Sequence, residues 1–308
     1  MRYAVVLGEA LVDLLEAECE GEPVYRRVIG GAPLNVAVGV ARLGGTVEFA
    51  GSLGDDVLAD RIREFLTATG VGQRGTVTVA APTTLAVATF AGAEPDFRFY
   101  GEPASYGLID ADALDADLVT GAAVLYCGSI VLLQPPALAA ARRAWALTGG
   151  LRVFDPNIRP RLLPDQAAWD HQRAVVAEFA ATAHLVKLSA ADADALYGED
   201  PGQVASRLLG LGAEVVVVTR GAAGALVAYG TETVDVAAPV VDAVDATGAG
   251  DSVMAALIEG LLRDGLPAGL AGWRVRVDFA LRVAGLVCES PGGAAAMPTQ
   301  TEVRTRFP

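Results

Sequence analysis

Short apolar runs rich in valine, leucine and alanine alternate with longer amphipathic stretches along most of this chain. The run most typical of a buried strand is 215–219, and the other predicted strands are 3–7, 47–50, 123–126, 152–154 and 185–188. Helical periodicity marks the segments 34–43, 57–69, 136–147, 169–181, 204–209, 253–262 and 277–288. This alternation predicts an α/β fold with a mostly parallel central sheet and helices on both faces. In such folds, ligands gather at the carboxyl ends of the strands.

Two regions lack helical segments between their predicted strands. Residues 9–28 and 77–101, approximately, are predicted to be β structure, with alternating apolar and polar positions at 84–90 and 97–100. We expect them to pair as a small antiparallel sheet that forms a lid over the ligand site. Because no repeat, low-complexity stretch or long linker divides the chain, residues 1–308 are expected to form a single domain.

Composition narrows the classes of partner. The chain has 308 residues and a net charge of −14, which disfavours nucleic acid and anionic membranes as partners. The longest apolar run, 122–133, is too short to span a bilayer and is interrupted by Gly128 and Ser129. The amino-terminal apolar run is short and is followed by an acid, so we expect a first strand instead of a signal peptide, and a cytoplasmic protein.

Two common nucleotide-binding motifs are excluded. Lys187 is the only lysine of the chain, so no Gly-Lys-Ser/Thr phosphate loop exists. The first predicted strand is followed by Gly8 and Glu9 without the glycine spacing of a dinucleotide fold. A nucleotide site in this chain must therefore be built differently.

The segment 245–252 carries the strongest chemical signal. Gly248 and Gly250 flank an alanine, Asp251 follows, and a helical apolar run begins at Val253. This is typical of a tight turn that leads into a helix, whose free N–H groups and positive dipole end attract an anion. A carboxylate repels phosphate but can accept the proton of a hydroxyl that attacks phosphorus. The segment therefore suggests phosphoryl transfer, and the alternative is that Asp251 is an ordinary N-cap.

A second glycine-containing turn lies near the amino terminus. Gly30 and Gly31 precede Pro33, which is favoured near a helix start, and Asn35 lies one turn into the predicted helix. An asparagine side chain can both donate to and accept from a polyol. The alternative is an asparagine on the helix surface beside a structural turn.

Together and in this order, the two motifs resemble the ribokinase-like (PfkB) family of carbohydrate kinases. The resemblance extends from Gly8 to about Thr299, nearly the whole chain. Five intermediate segments are similar to the bacterial fructokinase branch of that family: 8–13, 54–56, 155–159, 186–189 and 218–221. The family implies a ribokinase-like α/β fold with a β lid, and an activity that transfers the γ-phosphoryl group of ATP to a sugar.

The resemblance implies a role for each matching residue. Asp251 would be the catalytic base, and the N–H groups of the turn would stabilise the transferring phosphoryl group; this catalytic set is Gly248, Ala249, Gly250 and Asp251. The residues implied in sugar binding are Asp13, Gly30, Gly31, Asn35 and Arg159. Those implied in ATP binding are Lys187, Ser189, Thr219, Gly221, Gly224, Gly248 and Gly250, with the turn 290–294 closing the adenine side. Asp192 would organise Mg²⁺ through water, and Asp245 and the Thr247 carbonyl would hold a monovalent cation such as K⁺.

Several of these residues have simpler interpretations. Asp13 and Thr219 can be plain strand-end residues, Arg159 can pair with Asp155, Lys187 can be an exposed strand-end charge and Asp192 a helix-surface acid. The chain also departs from the family pattern, because Gly101 and Tyr106 occupy lid positions where many sugar kinases of this branch carry arginine and aspartate. The missing arginine weakens an acidic-sugar interpretation. The altered lid also weakens the case for fructose, because the lid shapes the sugar pocket.

These observations favour an ATP- and Mg²⁺-dependent kinase for a ketose, with fructose as the first candidate. The alternatives within the fold are 2-keto-3-deoxygluconate, ribose or a nucleoside as acceptor. An alternative of another class is a non-catalytic sugar or nucleotide sensor, which the intact Gly-Ala-Gly-Asp segment argues against. The exposed edge of the predicted lid suggests a homodimer.

Overall fold

The computed structural model describes residues 2–91 and 94–308. Its strands are β1 Ala4–Leu7, β2 Leu11–Cys19, β3 Glu22–Gly30, β4 Val47–Leu53, β5 Gly72–Thr78, β6 Leu85–Ala91, β7 Glu94–Tyr100, β8 Val124–Gly128, β9 Leu151–Asp155, β10 Leu185–Ser189, β11 Val215–Thr219, β12 Ala225–Tyr229 and β13 Glu232–Val236. Its α-helices are α1 Ala32–Arg42, α2 Val57–Ala68, α3 Ala116–Thr120, α4 Pro135–Leu147, α5 Gln166–Ala180, α6 Ala190–Tyr197, α7 Pro201–Leu211, α8 Ala249–Asp264, α9 Gly269–Cys288 and α10 Gln300–Arg306.

A nine-stranded sheet with the order β13-β12-β11-β10-β9-β8-β1-β4-β5 forms the centre of the fold. Neighbouring strands from β11 to β5 are parallel, whereas β12 pairs antiparallel with both β11 and β13 at one edge of the sheet. Every residue of β1 and β8 is buried, as expected for parallel strands covered on both faces. The predicted α/β fold is confirmed.

Two apolar cores cover the two faces of this sheet. In β1, Ala4 and Val6 join one core while Val5 and Leu7 join the other, because successive strand residues point to opposite faces. Helix α8 is buried at every residue from Ser252 to Leu262, with its side chains in the first core. A helix that is apolar on nearly every face lies inside the fold, and the burial of α8 begins directly after its first-turn residues 249–251.

A second sheet has the order β3-β2-β6-β7. The expectation of an antiparallel lid is wrong in one respect, because β2 and β6 pair in parallel, from Val12 with Leu85 onwards. The reason is that β2 follows β1 and β6 follows β5, so both leave the same edge of a parallel sheet in the same direction. The predicted boundary is also wrong, since Val77 pairs with Ser52 inside the central sheet. Within the predicted lid segment, Gly92 and Ala93 lie outside the described residues.

None of the helices within residues 2–91 and 94–308 combines the length and the apolar character that crossing a bilayer requires.

Candidate active site

The first turn of α8 is an open helix start. Gly248 occupies the N-cap position with φ of 80° and ψ of −2°, a left-handed conformation that favours glycine, and no side chain caps the helix. The Ala249 N–H donates to the Ala246 carbonyl, so the expectation that Ala249 offers its N–H to a phosphoryl group is wrong. Among the described residues, the N–H groups of Gly250 and Asp251 remain without acceptors, so they are available as the donors that the predicted anion seat requires.

Asp251 faces Asn35 across the start of a second helix. Gly31, with φ of 114°, precedes α1, and a Cβ there would lie 2.6 Å from the Glu9 carbonyl oxygen. The Asn35 Nδ2 donates to Asp251 Oδ2 at 2.8 Å. Asn35 is buried and its Oδ1 has no hydrogen-bond partner among the described residues. A buried acceptor without a donor is costly, so this oxygen points to a ligand hydroxyl.

The environment of Asp251 suits a proton acceptor. Burial raises the pKa of its carboxyl group above the ordinary value, while the hydrogen bond from Asn35 and the charges of Lys187 and Arg159 oppose that shift. The carboxyl group is therefore more basic than that of an exposed aspartate. A more basic carboxylate is better suited to accept a proton from a hydroxyl group. The interpretation of Asp251 as an N-cap is wrong, because no side-chain cap is formed.

Lys187 lies beneath the same helix start. Its Nζ pairs with Asp155 Oδ2 at 2.8 Å, and the two side chains are only 4% and 1% exposed. The alternative in which Lys187 is an exposed strand-end charge is therefore wrong. The expected pairing of Arg159 with Asp155 is also wrong, because Arg159 donates to Asn157 Oδ1 at 2.6 Å. A Cβ on Gly250 would lie 3.0 Å from Lys187 Nζ, so the ammonium group contacts the anion seat directly. Burial disfavours this charge, yet Asp155 and the other nearby acids raise the pKa of Lys187 above its ordinary value.

Asp13 and Glu9 are two further acids of this region whose pKa values are raised. Asp13, in β2, is half-buried instead of solvated, and burial raises its pKa to about 7 against the opposing charge of Arg159. Gly30 lies against the Asp13 carboxylate, where a Cβ would overlap Oδ2. Glu9 follows β1, is 2% exposed, and burial raises its pKa to about 7. The sequence motif around Glu9 indicated no role for it, although an acid placed directly after a buried strand was a usable signal.

Asp192 has a structural role that is fully described. Its Oδ2 accepts from Ser189 N at 2.8 Å and from Ser189 Oγ at 2.7 Å, and this capping box begins α6. Its Oδ1 accepts from Ile158 N at 2.8 Å, and the residue is 6% exposed, so the helix-surface interpretation is wrong. Within the described part of the chain, no group of three or more His, Cys, Asp and Glu side chains is arranged to hold a metal ion.

The residues expected along the nucleotide follow β11. Thr219 ends this strand, and Gly221 has φ of 56°; a Cβ added there would have no atom within 4 Å, so its face is bare. Gly224 packs against the Val236 carbonyl and tolerates no side chain. Between this turn and Gly248, Val240 is 96% exposed and Val244 is 69% exposed. Bare backbone and exposed apolar side chains at this position fit a phosphate chain and a nucleobase.

Asp245 and Thr247 form a turn before the anion seat. Asp245 Oδ1 accepts from Thr247 N at 2.8 Å and Oδ2 accepts from Gly292 N at 3.2 Å. Burial alone would raise the pKa of Asp245, but these hydrogen bonds outweigh it and lower the pKa. The turn at Gly292 and Gly293 is thereby joined to the seat, and a Cβ on Gly248 would lie 2.9 Å from Gly293 Cα.

The two unusual lid positions differ in what they contribute. Gly101 has φ of 109° and closes the end of β7. Tyr106 is 3% exposed and packs in the second core, with a hydrogen bond to Gln134.

Two buried polar atoms near the site also lack partners among the described residues, namely Tyr126 Oη and Gln172 Oε1. No sequence pattern marked either of them, because Tyr126 lies in an apolar strand and Gln172 lies within the polar run 170–173 of α5.

Comparison with known proteins places these features in context. The sequence model of the pfkB family of carbohydrate kinases matches residues 1–300. A fructokinase of Salmonella typhimurium is 33% identical over 322 residues, which is 98% of each chain. The structure of a Xylella fastidiosa fructokinase with bound ATP is similar with a TM-score of 0.88 at 28% identity, covering 98% of this chain and 97% of that one. A fructokinase of Vibrio cholerae O395, bound to fructose, ADP and calcium ion, has a TM-score of 0.88 at 27% identity, with coverage of 99% and 98%.

Proposed function

The chain belongs to the pfkB family of carbohydrate kinases and is an ATP-dependent sugar kinase, and we propose that its acceptor is a ketose, with fructose preferred. The observation that carries the proposal is the contact of Asn35 with Asp251, which joins a polyol-binding amide to a proton acceptor at 2.8 Å. The relatives named above as fructokinases support fructose. The absence of arginine at position 101 disfavours a sugar carboxylate such as that of 2-keto-3-deoxygluconate.

The proposed mechanism assigns steps to this chain's own residues. Asn35, Asp13 and Arg159 hold the sugar, while Gly30 and Gly31 let the backbone approach it. Asp251 accepts the proton of the attacking hydroxyl as the bond to phosphorus forms. The N–H groups of Gly250 and Asp251, the dipole of α8 and the Lys187 ammonium group stabilise the negative charge of the transferring phosphoryl group.

We propose that ATP lies along Thr219, Gly221 and Gly224, with its base toward the valines of the segment before Gly248. Mg²⁺, when bound, neutralises charge on the β- and γ-phosphates. Asp192 has both oxygens engaged, but a carboxylate offers about four acceptor positions, so it can also accept from a metal-bound water. Asp245 and the Thr247 carbonyl are proposed to hold a monovalent cation, and the sheet β3-β2-β6-β7 is proposed to act as a lid that excludes water.

We also propose a cytoplasmic homodimer that forms through the lid. Strand β3 is an edge of the second sheet and is mostly exposed, with Val24 38% and Tyr25 53% accessible, and Tyr100 of β7 is 53% accessible. Exposed aromatic side chains on an open sheet invite a second copy. Light scattering that shows a monomer at working concentration would contradict this assembly.

A substrate panel tests the proposed function. ADP release is measured with fructose, 2-keto-3-deoxygluconate, ribose and a nucleoside, each with K⁺ or with tetramethylammonium. We expect the largest kcat/KM with fructose and faster turnover with K⁺. Preference for another acceptor would overturn the fructose assignment, while binding of sugar and ATP without ADP release would identify a sensor.

A further inference from the structure

A separate cavity of about 580 Å³ lies at the opposite end of α8 from Asp251. The carboxyl-terminal half of α8, one face of α9 and the helix α10 form its walls. Its volume lies within the usual range of about 300–1,000 Å³ for small-molecule sites. None of the residues assigned to the sugar or the nucleotide lines it, so the proposed function does not use this cavity.

Arg276 is the feature of this cavity that most strongly indicates a ligand. Its side chain is 12% exposed and lies against Gly260 of α8, where a Cβ would displace the guanidinium group. Nη2 pairs with Asp264 Oδ2 at 3.3 Å, but Nη1 is buried and has no partner among the described residues. A buried guanidinium donor without an acceptor is costly, because arginine retains its charge in proteins. Asp264 is the only ion-pair partner of Arg276 among the described residues and also pairs with Arg263, so an anion in the cavity would balance the remaining guanidinium charge.

The charges around the cavity leave a cationic excess. The arginines that line it are Arg263, Arg276, Arg282 and Arg304. Three carboxylates face them: Glu259 pairs with Arg263 at 2.7 Å, Asp264 with Arg263 at 2.9 Å, and Asp278 with Arg282 at 3.0 Å. Arg304 is exposed and forms no ion pair among the described residues. The cavity therefore has one more guanidinium group than carboxylates, although the whole chain has a net charge of −14.

The remaining walls suit an anion that carries an apolar part. Phe279, Phe307, Val303 and Pro267 line the cavity beside the arginines. The first turn of α9, between Pro267 and Gly272, has no side-chain cap, so its N–H groups add positive potential at the rim. Planar guanidinium groups match phosphate oxygens, and aromatic faces accept a flat organic group.

We propose that this cavity binds a small organic phosphate whose anionic end contacts Arg276 and Arg304 and whose organic part packs against Phe279 and Phe307. Such a ligand would rest on α8, the helix whose first turn carries Asp251. The inference does not depend on which sugar the enzyme phosphorylates, because the variants that locate this site lie outside the catalytic machinery.

Calorimetric titration with phenyl phosphate tests the proposal. The full-length protein is titrated in the presence of fructose and a non-hydrolysable ATP analogue at saturating concentrations, so that the sites at Asp251 are filled. We expect one additional site in the wild-type protein, and about tenfold or greater weakening in both Arg276→Gln and Arg304→Gln. Arg304 is exposed, so its variant remains informative if Arg276→Gln proves unstable.

Three comparisons make the result specific. Arg142→Gln, which removes an exposed ion pair with Glu178 on another helix, should leave phenyl phosphate binding unchanged. Inorganic phosphate should bind more weakly than phenyl phosphate, and phenol should not bind. The proposal is overturned if the wild-type protein shows no additional site, if phenol binds as well as phenyl phosphate, or if neither arginine variant weakens binding more than Arg142→Gln does.

Discussion

Two aspartates stand at the starts of two helices and behave in opposite ways. Asp56, the N-cap of α2, accepts from Leu58 N at 3.0 Å and Ala59 N at 2.9 Å, and its oxygens also bind Thr83. Burial would raise its pKa, but these hydrogen bonds outweigh it and lower the pKa. Asp251, in the first turn of α8, caps nothing, and burial raises its pKa.

The difference shows how a helix start becomes a site. At α2 the carboxylate accepts hydrogen bonds from the first N–H groups of its own helix, so those donors at the positive end of the dipole cannot bind a ligand. At α8 a glycine replaces the capping residue, the donors of Gly250 and Asp251 stay available, and the acid points to Asn35 instead. The same residue type therefore stabilises one helix and serves chemistry at the other.

The largest expected effect comes from the same substitution at both helices. Asp251→Asn should lower kcat at least about 10²-fold with little change in fructose affinity, because the amide cannot accept the hydroxyl proton. Asp56→Asn should leave kcat unchanged, since asparagine is nearly as good an N-cap as aspartate. Steady-state ADP release and calorimetric fructose binding measure the two quantities. Activity of Asp251→Asn within tenfold of wild type would remove Asp251 from the role of base.

The second-largest effect is expected from substitutions in the buried ion pair of Lys187 and Asp155 beneath α8. Lys187→Met leaves Asp155 buried without its partner and should cost about 3–5 kcal/mol of unfolding free energy. Adding Asp155→Asn should recover much of that stability, because no unpaired charge remains, but should not restore turnover. Urea denaturation and ADP release separate the two effects. Wild-type turnover in the double variant would show that the Lys187 charge serves folding alone.

Two glycines at opposite ends of α8 test the geometry of the open start. Gly248 and Gly265 have φ of 80° and 75°, so alanine should cost about 1–2 kcal/mol at Gly248 and about 1–3 kcal/mol at Gly265, whose ψ of −162° is essentially restricted to glycine. Only at Gly248 would the new Cβ meet backbone, 2.9 Å from Gly293 Cα, whereas nothing lies within 4 Å at Gly265. We expect Gly248→Ala to lose about tenfold to 10²-fold in kcat/KM and Gly265→Ala to lose none. Equal losses in the two variants would mean that the anion seat tolerates displacement.

Whether a feature of the fold or the site could be predicted from the sequence depends on how far apart in the chain the interacting residues lie. The central sheet could be predicted because each buried strand carries its own apolar run, as 215–219 does. The two glycine turns and Asp251 were also local signals. The hydrogen bond between Asn35 and Asp251 joins residues 216 positions apart, and no local pattern places them together.

Two of the wrong expectations have a cause that lies outside the local sequence. The direction of β6 relative to β2 depends on where each strand leaves the central sheet, which alternation along one strand does not encode. Lys187 is buried only because Asp155, on the neighbouring strand, neutralises it. The capping box at Ser189 and Asp192, in contrast, could be predicted locally from Ser-x-x-Asp before a helix, although the family resemblance implied a magnesium role for Asp192.

The pH dependence of the unfolding free energy should distinguish Asp13, an acid near Asp251, from the capping Asp56. Asp13 has a pKa of about 7 in the folded protein against an ordinary 3.8, so its favourable contribution is complete below pH 3.8 and is lost as pH rises through about 7. Asp13→Asn, which mimics the protonated form, should therefore be more stable than wild type at pH 8 by about 1–2 kcal/mol after allowance for partial exposure. The two proteins should be equally stable near pH 3.8. Thermal unfolding at both values measures this, and a stability difference independent of pH would contradict the assigned shift.

Asp56 should show the smallest effect and the opposite sign of pH dependence. Its lowered pKa means that its contribution is present above the ordinary value and is lost as pH falls through the folded value. Asp56→Ala should cost about 1–2 kcal/mol at neutral pH, because Leu58 and Ala59 lose their acceptor, and the difference from wild type should narrow below about pH 4. Asp56→Asn should retain most of that stability at neutral pH. If Asp56→Ala were instead to reduce kcat at full stability, the carboxylate at α2 would act on the site, and the division between capping and catalytic acids would not hold.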